Sequence, residues 1–158
     1  MRKPRRRRLE KKTDYKARFT LLKSGKTRLV ARKSNRYIIA QLVETEQAQD
    51  KVLGGVTSKL LLNKKWPEKS TGSLKSLQAS YLTGLLIGKL AKEKNVSSAI
   101  FDIGMNRNVH KSRLYALLKG ALDSGLKIAH DPKALPTDQD IQKNEKLKDL
   151  IKKLKEEI

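Results

Sequence analysis

A chain of 158 residues holds one domain with a hydrophobic core plus tails, and too little for two ordinary domains. Its 37 Lys and Arg against 16 Asp and Glu leave a formal charge of +21, which calls for a polyanionic partner; nucleic acid ranks ahead of an anionic membrane surface or acidic proteins. The absence of cysteine excludes disulfides, thiolate metal sites and cysteine nucleophiles.

The charge is concentrated early. Residues 1–36 hold sixteen basic side chains against Glu10 and Asp14, a net +14, and the other 122 residues carry the remaining +7. This asymmetry marks residues 1–24 as a basic arm that lies along phosphates. The plainer alternative is a solvated tail, or a nuclear-localisation run in Arg5-Arg6-Arg7-Arg8. Charge begins at Arg2 with no apolar run behind it, so a secretory signal is not expected. Within the arm, residues 11–22 contain no Gly or Pro and place Tyr15, Phe19 and Leu22 three to four apart, which predicts a short amphipathic helix.

Ser24-Gly25-Lys26-Thr27 has the ending of a phosphate-binding P-loop, but Thr20 stands where the motif needs glycine and a strand pattern follows instead of a helix. Residues 27–32 and 37–43 are β-rich runs around Lys33-Ser34-Asn35-Arg36 and predict a β-hairpin. Alternation puts Arg28, Val30 and Arg32 on one face and Leu29 and Ala31 on the other, so that one face is basic. A third strand is expected over residues 51–59, with Gly54-Gly55 marking a bulge or a close backbone approach. Residues 63–72 have a loop composition, and Trp66 in that loop either packs over the domain edge or stacks on a base.

From Ser73 to Lys94 leucines recur every three or four residues, predicting a deep helix whose Gly84 and Gly88 let a strand or a second helix approach. Its most apolar stretch, residues 81–91, includes Lys89 and falls short of the about 20 residues a membrane span needs. Residues 96–103 read as a buried strand, and residues 114–122 as a helix stopped by Gly125. This order specifies an α/β fold, helices packed on a mixed sheet, over residues 25–130. Residues 131–158 read as a linker containing Pro132 and Pro136, then an amphipathic helix carrying Ile141, Leu147, Leu150, Ile151, Leu154 and Ile158.

Chemistry finds little support. His110 and His130 have no third ligand at metal-binding spacing. Asp102 ends a predicted strand, but a metal-dependent nuclease needs a further acid from another element, so a structural role, such as bonding to the loop that follows, is expected. In that loop Arg107, His110, Lys111 and Arg113 suit phosphates, Asn106 and Asn108 suit base edges or 2′-hydroxyls, and Ser112 suits a helix cap.

Three ordered blocks carry a resemblance. They are Arg5-Arg6-Arg7-Arg8 with Lys12-Thr13-Asp14-Tyr15-Lys16-Ala17-Arg18; the string from Leu21-Leu22-Lys23-Ser24-Gly25-Lys26-Thr27 through Ser34-Asn35-Arg36; and Ala79-Ser80-Tyr81-Leu82-Thr83-Gly84-Leu85 together with Leu117-Leu118-Lys119-Gly120-Ala121-Leu122-Asp123-Ser124-Gly125. Over residues 5–136 the chain resembles the archaeal and eukaryotic type of the large-subunit ribosomal protein family L-eighteen, which binds 5S ribosomal RNA. The resemblance implies a ribonuclease-H-like sheet without its catalytic acids, no enzymatic activity, no cofactor, and a cytoplasmic place in the central protuberance of the large ribosomal subunit. Its implied partners are 5S rRNA, the large-subunit rRNA and a neighbouring protein of the L-five family, with no membrane.

Composition and resemblance together nominate RNA-binding residues in three groups. The arm supplies Arg5, Arg6, Arg7, Arg8, Lys11, Lys12, Tyr15, Arg18 and Lys23, and Lys26 follows just after it. The hairpin supplies Arg28, Arg32, Lys33, Asn35 and Arg36, and the later loop Arg107, Asn108, His110 and Arg113. The competing readings are a metal-dependent RNA-processing enzyme and a basic module that docks on proteins or a membrane surface.

Overall fold

A computed structural model of the chain describes residues 6–47, 49–64, 66–67 and 72–142. The predicted hairpin forms from β1 (Arg28–Lys33) and β2 (Ile38–Glu46), antiparallel with Lys33 opposite Ile38. Its tip closes on Ser34, whose Oγ accepts from the backbone N–H of Tyr37 at 2.8 Å, while its own N–H donates to the Tyr37 carbonyl at 2.9 Å. The third strand, β3 (Gln49–Thr57), begins two residues before the sequence reading placed it. Its pairing with β2 shifts between Leu42 and Val43, which face Gly54 and Val52, so Leu53 is the extra residue of a bulge. Both expectations for the glycine pair are met there, because a Cβ on Gly54 would also come within 2.6 Å of Leu90.

Two further strands, β4 (Ser98–Asp102) parallel to β1 and β5 (Lys127–Ile128) parallel to β4, complete a mixed five-stranded sheet in the order β3-β2-β1-β4-β5. β5 was not anticipated: two residues are too few to show a period of two.

Two helices, α3 (Leu77–Glu93) and α4 (Arg113–Asp123), cover one face of the sheet. Leu29, Ala31, Ala40 and Leu42 from that face join Ile87, Ala91, Leu117 and Ala121 from the helices in one buried cluster. The glycines of the deep helix resolve in favour of a second helix. A Cβ on Gly84 would collide with the Leu117 carbonyl, and one on Gly120 with the Tyr81 carbonyl, so α3 and α4 cross at backbone contact. α3 starts later than the leucine pattern suggests, because Ser76 caps it by accepting from the Ala79 N–H at 3.2 Å. α4 ends as expected at Gly125, whose φ of +101° lets its N–H reach the Leu122 carbonyl and that of Leu126 reach Ala121.

A second cluster gathers Leu61, Trp66, Leu74, Tyr81 and Ile141, and Trp66 is only 4% exposed within it. The tryptophan therefore packs instead of presenting a face to a base. Leu61 comes from a 3₁₀ segment, Ser58–Lys64, which takes up part of the stretch read as strand and loop.

Residues 131–137 lie against the body: the Lys111 N–H donates to the Ala134 carbonyl at 2.8 Å and Lys119 Nζ to the Pro136 carbonyl at 2.9 Å. After them a short helix labelled α5 (Asp138–Gln142) buries Ile141. The rest of the expected C-terminal helix, residues 143–158, lies outside the described residues. No helix among the described residues is long and apolar enough to cross a membrane.

Candidate nucleic-acid interface

The arm contains two helices, α1 (Arg6–Leu9) and α2 (Tyr15–Leu22). Arg6, Arg7, Arg8, Lys11 and Lys12 are all exposed, and Arg5 falls outside the described residues. Local bonds shape the arm: Arg7 Nε donates to Thr13 Oγ1 at 2.9 Å, and Glu10 pairs with Arg6 at 3.1 Å and Lys12 at 2.7 Å. The expected helix starts at Tyr15 and not at residue 11, because Asp14 caps it by accepting from the N–H groups of Lys16 and Ala17 at 2.9 and 3.2 Å. The spacing of Tyr15, Phe19 and Leu22 does not produce a buried stripe: no residue of α2 is buried, and Phe19 is 62% exposed with Lys23 Nζ 5.0 Å above its ring.

The remaining candidates separate by the end of the sheet they occupy. Because β1 and β4 are parallel, the hairpin tip after β1 and the loop after β4 leave the sheet at the same end. Lys33, Asn35 and Arg36 are exposed on that tip, and Arg107, Asn108, His110, Lys111 and Arg113 on that loop. Asn108 Oδ1 accepts from the Tyr115 hydroxyl at 2.7 Å, and the His110 ring meets Tyr115 edge-on at 6.4 Å, which gives the loop a shape before any partner binds. Ser112 occupies the N-cap position of α4 but makes no capping hydrogen bond through its side chain, contrary to expectation. The arm helix reaches the sheet at the opposite end, where Arg18 pairs with Asp50 at 2.8 Å near the turn between β2 and β3. Lys26 is exposed at that same end, just before β1.

Arg28 departs from its nomination as a surface residue. It is 2% exposed, with Nη1 2.9 Å from Asp102 Oδ2 and Nη2 2.8 Å from Asp50 Oδ1 and 2.9 Å from the Thr45 hydroxyl. Its Nε is buried without a hydrogen-bond partner among the described residues. The alternation rule placed it correctly on the face away from the core, but the acids on neighbouring strands close over it. Arg32, four residues on, keeps a side chain 40% exposed while donating to Asp102 Oδ1 at 3.1 Å and to the Asp102 carbonyl at 2.8 Å.

Asp102 is thus structural, as its lack of a second catalytic acid suggested, although its partners are Arg28, Arg32 and the Gly104 N–H at 2.8 Å rather than the loop residues beyond. Gly104 lies against Arg32 so closely that a Cβ there would be 2.7 Å from the guanidinium carbon. Burial raises the Asp50 carboxyl, but hydrogen bonds from Arg18 and Thr45 and the charges of Arg18 and Arg28 outweigh it and hold it below the usual carboxylate value. Among the described residues no three His, Cys, Asp or Glu side chains converge as a metal site. Asp50 escapes the sequence pattern because it sits one residue before the expected strand, residues 51–59. Its signal was an acid beside a strand whose partner face carries arginines.

A basic arm at one end of a rigid α/β sheet and two cationic loops at the other define a class: a small protein built to lie against a polyanion. The family model for ribosomal large subunit proteins 60S L5 and 50S L18 matches residues 1–98 and 88–131. Large ribosomal subunit protein uL18 of Korarchaeum cryptofilum is 45% identical over 152 residues, 96% of this chain and 75% of that one. The proteins of the same name from Aeropyrum pernix and Haloarcula marismortui are 43% and 46% identical, covering 88% and 84% of this chain and 64% and 68% of theirs. The chain belongs to this family of ribosomal large-subunit proteins. The role of such a protein is structural and not enzymatic.

Proposed function

We propose that the chain binds 5S rRNA and holds it against the large-subunit rRNA in the central protuberance, beside a protein of the L-five family. The observation that carries this reading is the division of exposed cations between the arm, which meets the sheet through Arg18 at one end, and the hairpin tip and loop at the other: Arg6, Arg7, Arg8, Lys11 and Lys12 on the arm, and Lys33, Arg36, Arg107 and Arg113 on the tip and loop. Two separated cationic surfaces on one rigid core suit a protein that bridges two RNA segments. Each lysine or arginine that neutralises a phosphate releases counterions, so binding is steeply salt-dependent. The exposed Asn35 and Asn108 add hydrogen bonds to unpaired bases or 2′-hydroxyls, and the half-buried Tyr15 offers a ring for stacking. Residues 6–13 carry no buried side chain, so the cations among them are open to phosphates.

Crosslinking the protein in cell extract and sequencing the attached RNA tests the reading. Enrichment of 5S rRNA together with large-subunit rRNA supports it, and enrichment of transfer or messenger RNA rejects it. A shallow dependence of affinity on salt removes the arm as the binding surface.

A further inference from the structure

The two cationic ends of the sheet are joined by a continuous chain of charges. Arg18 on α2 pairs with Asp50 on β3, Asp50 with Arg28 on β1, and Arg28 with Asp102 on β4. Asp102 in turn holds Arg32 at the far end of β1 and the Gly104 N–H at the root of the 104–113 loop. Each acid has a separate oxygen for each direction: Asp50 gives Oδ2 to Arg18 and Oδ1 to Arg28, while Asp102 gives Oδ2 to Arg28 and Oδ1 to Arg32 and Gly104. Every link lies between 2.8 and 3.1 Å. The links join segments as far apart in sequence as residues 18 and 104.

We propose that Asp50 and Asp102 are positioning residues of the RNA-binding surface, holding the arm helix and the 104–113 loop in fixed relation across the sheet before RNA arrives. The inference rests on the RNA-binding function proposed above. α2 has no fully buried residue, only the half-buried Tyr15, Arg18, Leu21 and Leu22, and its cap on Asp14 fixes only its own first turn. The Arg18–Asp50 pair is the contact that ties it to the sheet's ion-pair chain. A helix oriented in advance presents Lys16 and, at its C-terminal cap, Lys23 to a phosphate backbone without losing that freedom on binding, and preorganisation of this kind raises affinity without adding a contact.

The test uses the full chain and a 5S rRNA transcript, comparing wild type with Asp50→Asn and Asp50→Glu. Simple electrostatics predicts that removing an acid from a basic RNA-binding protein tightens binding. Positioning predicts the opposite: Asp50→Asn weakens binding about fivefold to tenfold, as expected when a segment must be ordered on association. The slope of log affinity against log salt stays at its wild-type value, because no phosphate contact is removed. Amide exchange over residues 15–22 speeds up, and Asp50→Glu recovers part of the affinity. Because the Asp50 side chain is 33% exposed, the Asn variant keeps a folded body, checked by circular dichroism, whereas substitutions at the buried Asp102 risk unfolding. Affinity in Asp50→Asn equal to or tighter than wild type, or a lowered salt slope, overturns the positioning role. Failure of the wild-type chain to bind the transcript overturns the RNA reading itself, and is recognised before any variant is compared.

Discussion

Arg28 Nη1 and Asp102 Oδ2 meet at 2.9 Å between parallel strands, with side chains only 3% and 7% exposed. Removing two charges from water costs several kcal/mol per ion, and the cost is offset only where the remaining donors and acceptors are bonded. Asp102 fills its other oxygen with Arg32 and the Gly104 N–H, and Arg28 fills its second amino group with Asp50 and Thr45. Asp102→Ala removes the more buried of the two carboxylates that pair with the buried guanidinium. The expected loss is about 3–5 kcal/mol of unfolding free energy, read as a lower denaturant midpoint at unchanged slope. Asp102→Asn, which keeps the shape and an acceptor, loses less.

The exposed and the buried arginines separate in RNA binding. Arg107→Gln and Arg36→Gln each remove one surface cation, so each lowers the magnitude of the salt slope by about 1 and leaves thermal stability within experimental scatter. Arg28→Gln behaves in the reverse sense. Stability falls because Asp102 and Asp50 lose their shared counter-charge, while the salt slope of the molecules that remain folded is unchanged. Titrations of 5S rRNA at several salt concentrations, run beside thermal melts, distinguish the two patterns.

Much of the fold was legible because the sequence carries strong periods. The alternation in residues 27–43, the leucines of α3 and the Gly125 stop each reflect a local rule that the tertiary structure did not override. What escaped was short or nonlocal. β5 has two residues, and α1 four. The Tyr15, Phe19 and Leu22 spacing misled because a helical period shows which residues share a face, not whether anything covers it. At the candidate site, the exposed tip and loop were readable from composition. The burial of Arg28 was not, since it depends on β3 and β4 bringing Asp50 and Asp102 to either side of β1, a juxtaposition across 22 and 74 residues of sequence.

Acid exposes the contribution of Asp50. Its folded carboxyl titrates below the ordinary aspartate value of 3.8, so at pH above that value the ion pairs contribute their full stability. As pH falls through the lowered folded value, Asp50 takes up a proton, and the contribution is lost. Wild type therefore loses stability on acidification from pH 4 downward more steeply than Asp50→Asn, whose residue 50 does not titrate. Denaturant midpoints measured between about pH 5 and pH 1, the window in which lowered carboxylates titrate, give the difference. Coincident curves would show that Asp50 interacts equally with both states.

The crossing of α3 and α4 leaves no room for a methyl group. A Cβ on Gly84 would overlap the Leu117 carbonyl oxygen, and both atoms belong to helical backbone that cannot rotate aside as a side chain can. Gly84→Ala therefore forces the helices apart and disturbs the cluster that holds Ile87, Leu117 and Leu118, at a cost of about 1–3 kcal/mol or more, typical of overpacking. The intrinsic preference of Ala over Gly in a helix works in the other direction by about 1 kcal/mol, so a net loss measures the clash. Gly120→Ala strikes the same crossing from the other side, where a Cβ would lie 3.0 Å from Gly84 Cα. Once the helices have separated to admit one methyl, the second meets less resistance. The double variant should therefore lose less than the sum of the single losses, and additive losses would show that the two glycines relieve independent contacts.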